Sequence, residues 1–253
     1  MKDNRCHLCI HVGKKYSDRY VNNLFRMLRK QSDADFYVFT DDVLNNQYDE
    51  GIIPVDISRD LEEYRQWEHW WPTWYRMDIM SGKFLKQYDI KILWDLDLII
   101  HGDISPLLEF DPEPEKLYAI YSTWRAQKEI DEDSMQKLEE LPDQACVITR
   151  FNGSCMIWRT VKYIYEEFAK DPKGNVKKYR GFDVFCDYKQ LPRYRLPDLF
   201  YSYRDGVYFF TRGLFFQQHP KLPVALFHQK PEIHELDPKE HPILKYWDVD
   251  SSL

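Results

Sequence analysis

Apolar runs and amphipathic stretches alternate along the first part of the chain. Residues 6–12 form a short apolar run that ends at Gly13, which predicts a buried strand. Between Tyr20 and Leu28, apolar side chains recur every three or four residues, as they do on one face of a helix. A second apolar run occupies residues 36–39. The order strand, helix, strand predicts the start of a parallel α/β sheet.

The pattern predicts further elements around a long apolar run in the middle of the chain. Residues 90–100 are apolar almost throughout, which is typical of a central strand buried on both faces. Residues 73–88 and 160–169 have apolar side chains at helical spacing. A polar, acidic stretch at 127–144 predicts a surface helix or a surface excursion of the chain. Weaker patterns predict further strands at 51–55, 117–121 and 151–158.

Two carboxylates interrupt the central run. Asp95 and Asp97 are two residues apart, and in an extended segment such residues point to the same side. Carboxylates inside an apolar run are costly unless they are paired or bound to a metal ion. Hard divalent cations prefer oxygen ligands and commonly bridge to substrate phosphates. We therefore expect a metal site at Asp95 and Asp97, because the alternative, a pair of exposed turn aspartates, fits poorly with the apolar flanks.

The chain carries a net negative charge. It has 253 residues, with 42 Asp and Glu against 35 Lys and Arg, so that its formal net charge is −7. This length suits a single α/β domain, and the acidic balance argues against a nucleic-acid partner. A phosphorylated ligand would need a metal ion or a few placed cations. The sequence has no Gly-rich P-loop, HExxH or GxSxG motif, which excludes three common enzyme classes.

The cysteines and the N-terminal residues bear on the location of the protein. The five cysteines are irregularly spaced, which is typical of reduced thiols rather than of a secreted disulfide framework. Cys6 and Cys9 form a CxxC without a second pair to complete a zinc site, so we interpret them as buried strand thiols. Residues 1–5 are polar and do not resemble a signal peptide. No apolar stretch reaches about 18 residues, and we expect a cytoplasmic protein without a transmembrane segment.

Half of the eight tryptophans, Trp67, Trp70, Trp71 and Trp74, fall within residues 64–75. They could pack a helix onto the sheet. Residues 64–75 hold six aromatic side chains, which is more than one helix face buries. Some of the tryptophans are therefore also candidates for a platform on which a sugar stacks. Peripheral contact with a membrane is a third interpretation, and the weakest, because no basic amphipathic helix accompanies the cluster.

Another candidate ligand lies in the final third of the chain. His228 directly follows the apolar run 224–227, at the end of a predicted strand, and is a plausible third metal ligand. Lys230 could meet a phosphate oxygen as a point charge. The alternative is a surface His and Lys in front of a turn at Pro231.

Three segments together resemble a known family. Residues 74–77 (Trp-Tyr-Arg-Met), 92–97 (Ile-Leu-Trp-Asp-Leu-Asp) and 102–107 (Gly-Asp-Ile-Ser-Pro-Leu) are similar, in this order, to nucleotide-sugar glycosyltransferases of the GT-A fold. The resemblance is strongest to family 8, the glycogenin and galactosyltransferase relatives, and to related short bacterial and viral enzymes. Residues 151–153 resemble the Asn-Gly acceptor segment of that family. Residues 228–231 resemble its C-terminal His-x-x-x-Lys-Pro signature, in a variant spacing.

The resemblance covers most of residues 6–231 and implies the fold. The expected class is α/β of the GT-A type: a mixed, mostly parallel, Rossmann-like sheet flanked by helices, in a single domain over residues 1–253. Residues 1–110 would form the nucleotide-binding half, which ends with the DxD motif. Residues 111–253 would form the acceptor-binding half and the C-terminal metal and phosphate segment.

The resemblance also implies a reaction. Such enzymes move a sugar from a nucleotide-diphosphate sugar, here expected to be a UDP-sugar, to a glycan, lipid-linked or protein acceptor, with retention of configuration. Mn²⁺ or Mg²⁺ would bridge the diphosphate and act as a Lewis acid, with Asp95, Asp97 and His228 as ligands. The leaving diphosphate itself is the expected base, so that no protein nucleophile is nominated.

Residue roles follow from the same resemblance. Arg76 matches an Arg that contacts the donor, and Asp183, in the loop 181–183, loosely matches an Asp that contacts the transferred sugar. With Asp97 they are the expected catalytic residues. The expected donor-binding residues, most of them beyond strand ends as is usual in open α/β sheets, are Val12, Gly13, Tyr16, Thr40, Asp41, Arg76, Asp95, Leu96, Asn152, Gly153 and Lys230. The expected acceptor-binding residues are Trp70, Trp71 and Trp74.

Two rival functions remain open from the sequence. The first is another metal-assisted phosphate enzyme, such as a nucleotidyltransferase or a hydrolase that uses Asp95 and Asp97. A nucleotidyltransferase usually offers a Gly-rich loop near its N-terminus, where this chain has only Gly13. The second is a non-catalytic sugar-binding module, in which the aromatic residues bind glycan and the aspartates bind a structural cation.

Overall fold

The computed structural model describes residues 4–122, 143–144, 149–205, 215–216, 221–227 and 232–247. His228 and Lys230 lie outside these ranges, and so does the predicted acidic helix or excursion except for residues 143 and 144, which form a turn.

A seven-stranded sheet forms the centre of the described structure. Its strands are β1 (Arg5–His11), β2 (Asp35–Thr40), β3 (Ile52–Asp56), β4 (Ile90–Trp94), β6 (Tyr118–Tyr121), β7 (Phe151–Trp158) and β8 (Tyr194–Arg195). They lie in the order β3-β2-β1-β4-β7-β6-β8, and the first four strands of this order are parallel to one another. β7 is antiparallel to both β4 and β6, and β8 is parallel to β6.

Smaller sheets and short helices complete the described structure. A three-stranded sheet has the order β5-β12-β9, and β10 pairs with β11. The remaining strands are β5 (Leu98–Ile100), β9 (Phe200–Ser202), β10 (Arg204–Asp205), β11 (Phe215–Phe216) and β12 (Val224–Leu226). The helices are α1 (Asp18–Arg29), α2 (Ser58–Tyr64), α3 (Arg76–Met80), α4 (Ser105–Leu108), α5 (Tyr163–Phe168), α6 (Pro172–Lys178) and α7 (Phe182–Tyr188). Short 3₁₀ helices occupy Pro72–Tyr75, Ile233–Glu235 and Pro242–Tyr246. The predicted fold class, a mixed and mostly parallel sheet flanked by helices, is confirmed.

The core has two apolar clusters on opposite faces of the central sheet. Along β4, Ile92 and Trp94 belong to one cluster and Leu93 to the other, as the alternation of side chains in a strand requires. Helix α1 packs on the first face and α3 on the second. The interpretation of Cys6 and Cys9 as buried thiols is confirmed, and burial raises the pKa of Cys6 to about 12.

The predicted continuous strand over residues 90–100 is wrong. β4 ends at Trp94 and β5 begins at Leu98, and the two strands belong to different sheets. The backbone N–H of Asp95 donates to the carbonyl of Ser154 (2.8 Å), and the carbonyl of Asp97 accepts from the N–H of Phe227 (2.8 Å). The chain therefore crosses from one sheet to the other at the DxD motif, and its carboxylates lie on a turn between two buried strands.

The predicted helix over residues 73–88 is shorter than its apolar pattern. A 3₁₀ turn leads into α3, which ends at Met80. Gly82 follows with φ of +78°, a left-handed conformation that glycine adopts without steric cost and that commonly ends a helix. Among the described residues, no helix has both the length and the apolar character needed to cross a membrane.

Candidate active site

A cleft of about 450 Å³ opens beyond the carboxyl ends of β1 and β4. This is where open α/β sheets bind their ligands, because the loops at these strand ends diverge. We call it the DxD cleft. Its lining residues are Ile10, Val12, Lys15, Tyr16, Trp71, Pro72, Thr73, Arg76, Leu93, Trp94, Asp95, Leu96, Asp97 and Arg180.

Asp97 is held at the floor of the cleft in an environment that disfavours its charge. The Tyr16 hydroxyl donates to Asp97 Oδ2 at 3.1 Å, and Lys15 Nζ donates to the Tyr16 hydroxyl at 2.5 Å. Burial, and then the negative charge of Asp95, raise the pKa of Asp97 to about 7, although Lys15 opposes this shift. Ionised Asp97 is thus disfavoured both by its burial and by the charge of Asp95.

Arg76 is ion-paired with the other aspartate of the motif. Its side chain is 5% exposed, and its Nη2 donates to Asp95 Oδ1. Burial alone would lower the pKa of Arg76, but Asp95, Asp183 and Asp97 outweigh burial and raise it. The Nε of Arg76 has no hydrogen-bond partner in the described part of the structure.

Gly153 brings a second acidic residue to Arg76. Its N–H donates to Asp183 Oδ2 at 3.0 Å. A Cβ at position 153 would lie 2.4 Å from Arg76 Nη1 and 3.1 Å from Asp183 Oδ1, so that only glycine permits this approach. The neighbouring Asn152 is buried and accepts from the N–H of Ser154 (2.9 Å). The first residues of β7 therefore lie against both Arg76 and Asp183.

The predicted nucleotide-binding residues lie at the ends of β1 and β2. Val12 and Tyr16 line the DxD cleft. Gly13, with φ of +73°, donates its N–H to Asp41 Oδ1 at 3.1 Å, which ties the two loops together. Thr40 is buried, and its hydroxyl accepts from Asn46 Nδ2 at 3.0 Å. Gly13, Thr40 and Asp41 are thus grouped beside the cleft but are not among its lining residues.

Comparisons with known proteins agree with this architecture. No protein-family model matches the sequence, and no curated protein is significantly similar to it. Among solved structures, the galactosyltransferase LgtC has a TM-score of 0.63 at 12% identity, over 98% of this chain and 97% of LgtC. GlyE, a glycosyltransferase of Streptococcus pneumoniae TIGR4, has a TM-score of 0.62 at 15% identity, over 97% of this chain and 61% of GlyE. The bifunctional glycosyltransferase WbbM has a TM-score of 0.59 at 10% identity, over 99% of this chain and 50% of WbbM.

The chain has the GT-A glycosyltransferase fold. The resemblance drawn from the DxD motif and its neighbouring segments is thereby confirmed at the level of fold.

On this GT-A fold, the tryptophan cluster divides between packing and exposure. Trp74 is 1% exposed and stacks on Phe168 with ring centroids 5.5 Å apart, which agrees with the packing alternative rather than with acceptor binding. Trp70 is half-buried against Tyr64, at 6.2 Å between centroids. Trp71 is 54% exposed and lines the DxD cleft. Of the three predicted acceptor residues, Trp71 alone offers an open ring face to this cleft.

The C-terminal part of the expected metal site lies outside the described residues. The N–H of Phe227 is bonded to the carbonyl of Asp97. His228 and Lys230 follow Phe227 in the sequence and are not among the described residues. Among the described residues, no group of three or more His, Cys, Asp or Glu side chains is arranged to hold a metal ion. Asp95 and Asp97 are accordingly two candidate ligands of an incomplete set.

Polar side chains that the sequence did not single out contact residues of the candidate site. Arg193, whose side chain is 1% exposed, donates to Asp183 Oδ1 at 3.0 Å and is ion-paired with Asp187. His11 binds Tyr48 through Nδ1 (2.8 Å) and the Tyr16 carbonyl through Nε2 (2.9 Å). Asp183 and Asp187 are four residues apart and hence lie on one helix face. This spacing indicated a pair of carboxylates that a cation such as Arg193 could contact. Lone residues such as His11, Lys15 and Arg180 carry no such local signal.

Proposed function

We propose that this chain is a metal-dependent glycosyltransferase that transfers a sugar from a UDP-sugar to a glycan-type acceptor with retention of configuration. The observation that carries the proposal is the pair Asp95 and Asp97 at the floor of a cleft in a GT-A fold. Burial and mutual repulsion raise the pKa of Asp97 to about 7, and a divalent cation would remove that repulsion.

The donor set fits a hard cation. Two carboxylates from one turn supply the oxygen ligands that Mn²⁺ and Mg²⁺ prefer, and His228 is the proposed third ligand. The hydrogen bond between Phe227 and Asp97 supports this assignment, because it brings the backbone to the motif one residue before His228. The cation would neutralise the charge that develops on the leaving diphosphate.

The protein's own residues would bind and orient the donor. Val12, Gly13 and Tyr16 are proposed to face the nucleoside, with Thr40 and Asp41 at the base or ribose. Arg76 is proposed to stabilise the leaving diphosphate or to contact the transferred sugar, since its Nε has no partner in the described structure.

The transferred sugar is proposed to lie near Arg76, Asn152, Gly153 and Asp183. Gly153 allows Asp183 to approach Arg76, and Arg193 fixes the Asp183 carboxylate from the other side. Leu96 and Lys230 complete the proposed donor site. The leaving diphosphate is the proposed base, so that retention needs no protein nucleophile.

Calorimetric titration with a series of nucleotide sugars, with and without Mn²⁺, tests this proposal. We expect UDP-sugar binding that depends on the metal, and product formation that Asp97→Asn lowers by at least about a hundredfold, since even residues that only orient metal ligands are worth about 10–100-fold. Asp103→Asn is the matched control, because Asp103 is exposed and lies outside the cleft.

Each rival gives a different result in the same experiment. Metal-dependent binding of nucleoside triphosphates in preference to nucleotide sugars would identify a nucleotidyltransferase. Glycan binding with no nucleotide-sugar binding would identify a sugar-binding module and contradict the proposal.

A further inference from the structure

One wall of the DxD cleft combines an exposed ring with an exposed cation. Trp71, Pro72 and Thr73 form this wall together with Arg180, and we call these four residues the outer wall. A Cβ at Gly181 would lie 3.7 Å from the Thr73 hydroxyl, so the backbone next to Arg180 packs against the start of the 3₁₀ helix. The outer wall is therefore one surface built from two distant parts of the sequence.

Trp71 has a fixed backbone and an open ring. Its carbonyl accepts from the N–H of Trp74 at 2.9 Å, and Trp74 is anchored in the core. A 54% exposed tryptophan inside a cleft leaves apolar surface in contact with water, which is unfavourable unless a ligand covers it. The flat apolar face of a sugar ring is a suitable cover.

Arg180 is the uncommitted cation of the cleft. Three positive and two negative side chains line it among the described residues: Lys15, Arg76, Arg180, Asp95 and Asp97. Arg76 is paired with Asp95, and Lys15 bonds Tyr16 and lowers the pKa of Asp97. Arg180 is exposed, and none of the hydrogen bonds or ion pairs of the described residues involves it.

This distribution of charge points to the acceptor rather than to the donor. The diphosphate of a nucleotide sugar carries two negative charges, which one divalent cation balances, and the nucleoside is proposed to lie at β1 and β2. One positive charge then remains beside an exposed aromatic ring. A guanidinium recognises carboxylates and phosphates through paired, charge-assisted hydrogen bonds.

We propose that the outer wall selects an anionic acceptor: a glycan whose terminal sugar, or the sugar next to it, bears a carboxylate or a phosphate. Trp71 stacks on the sugar ring and Arg180 binds the anionic group. This inference rests on the proposed function and names the acceptor class of that same site.

The test measures UDP release from the UDP-sugar that binds in calorimetry, in the presence of matched glycosides. Methyl glucoside and methyl galactoside are compared with their 6-phosphates and with the corresponding uronic acids. A glycoside can change the rate of UDP release by accepting the sugar or by occupying the acceptor site. We expect an anionic glycoside to do so at a concentration about tenfold lower than its neutral counterpart. This ratio corresponds to a difference in binding free energy of about 1.4 kcal/mol. Action of the phosphates alone, or of the uronic acids alone, identifies which anion is recognised.

Variants assign this selectivity to the outer wall. Arg180→Ala should bring the anionic and neutral glycosides within about twofold of each other and leave the KM for the UDP-sugar unchanged, and Arg180→Lys should keep part of the preference. Trp71→Ala should weaken neutral and anionic glycosides alike. Arg59→Ala, at an exposed arginine outside the cleft, is the matched control and should have no effect.

The outcomes separate the two proposals. If no nucleotide sugar binds or releases UDP, the proposed function itself fails. If the donor turns over but neutral glycosides act as well as anionic ones, or no glycoside has any effect, only the outer-wall proposal is overturned. It is equally overturned if Arg180→Ala raises the KM for the UDP-sugar, because Arg180 would then be a donor ligand.

Discussion

At the scale of single residues, the structure holds a histidine neutral beneath the cleft. His7 is 1% exposed on β1, and Trp94 Nε1 donates to its Nδ1 at 3.1 Å. Since Nδ1 must accept, the proton of the neutral ring is on Nε2, which lies 3.0 Å from the Ser32 hydroxyl. Burial, followed by the charges of Arg5 and Arg29, lowers the pKa of His7 to about 3.

This histidine should make the fold sensitive to mild acid. The unfolded chain takes up a proton at His7 near pH 6.5, whereas the folded chain resists protonation down to about pH 3, so stability from this group is lost as the pH falls below 6.5. We expect His7 to lower the free energy of unfolding by about 1.4 kcal/mol at pH 5.5 relative to pH 8. Urea titrations at the two pH values measure this difference.

A pair of asparagine variants isolates the contribution of His7. His7→Asn keeps an acceptor for Trp94 and should reduce the pH dependence. His69→Asn, at an exposed histidine, should leave it unchanged. An equal pH dependence in wild type and His7→Asn would show that the acid sensitivity arises elsewhere.

At the scale of elements, the sequence predicted what local periodicity can encode. β1, α1 and β2 came from runs and spacings that lie entirely within each segment. The sequence did not predict that residues 90–100 form two strands in different sheets. One continuous strand and two strands in separate sheets would place the same apolar residues around Asp95 and Asp97. Helices α6 and α7 have seven residues each, too few for an apolar period to be distinguished from chance.

The candidate site was predictable in its members but not in its contacts. Arg76, Asp95, Gly153 and Asp183 come from four separate segments and lie together in the structure, and their roles at the donor stay predictions. The spacing of Asp183 and Asp187 marks one helix face, but the cation that pairs with it could not be assigned, because the position of Arg193 is set by how α7 packs beside β8.

The two roles within the tryptophan segment should be separable by stability. Trp74→Ala removes a large buried ring between Phe168 and Phe185 and should lower the free energy of unfolding by about 3–5 kcal/mol. Trp71→Ala removes a ring that is more than half exposed and should change it by about 0.5 kcal/mol or less. Guanidinium unfolding of both variants measures these values, and a similar loss in both would mean that Trp71 also packs in the core.

At the scale of the whole molecule, the net charge is unfavourable for an anionic donor. The protein carries a formal charge of −7, and the two aspartates of its cleft repel one another. Because Arg76 is already paired with Asp95, we expect a diphosphate to bind better together with a divalent cation than alone.

Thermal unfolding should report this coupling. We expect UDP alone and Mn²⁺ alone to raise the Tm little, and the two together, at about a hundredfold above their joint Kd, to stabilise the fold by about 2.7 kcal/mol. Asp97→Asn should lose the joint effect. Equal stabilisation by UDP with and without Mn²⁺ would contradict the assignment of the aspartates.

The backbone hydrogen bond between Asp95 and Ser154 affects how the protein folds while it is being synthesised. The four parallel strands are complete once the ribosome has passed Trp94, yet the motif that follows lacks its backbone partner until residue 154 is made. At about 5–20 residues per second, this delay lasts about 3–12 seconds. During this interval the chain already contains the residues of four of the seven strands of the sheet, whereas the backbone N–H of Asp95 has no partner, and the carbonyl of Asp97 has none until Phe227 is made.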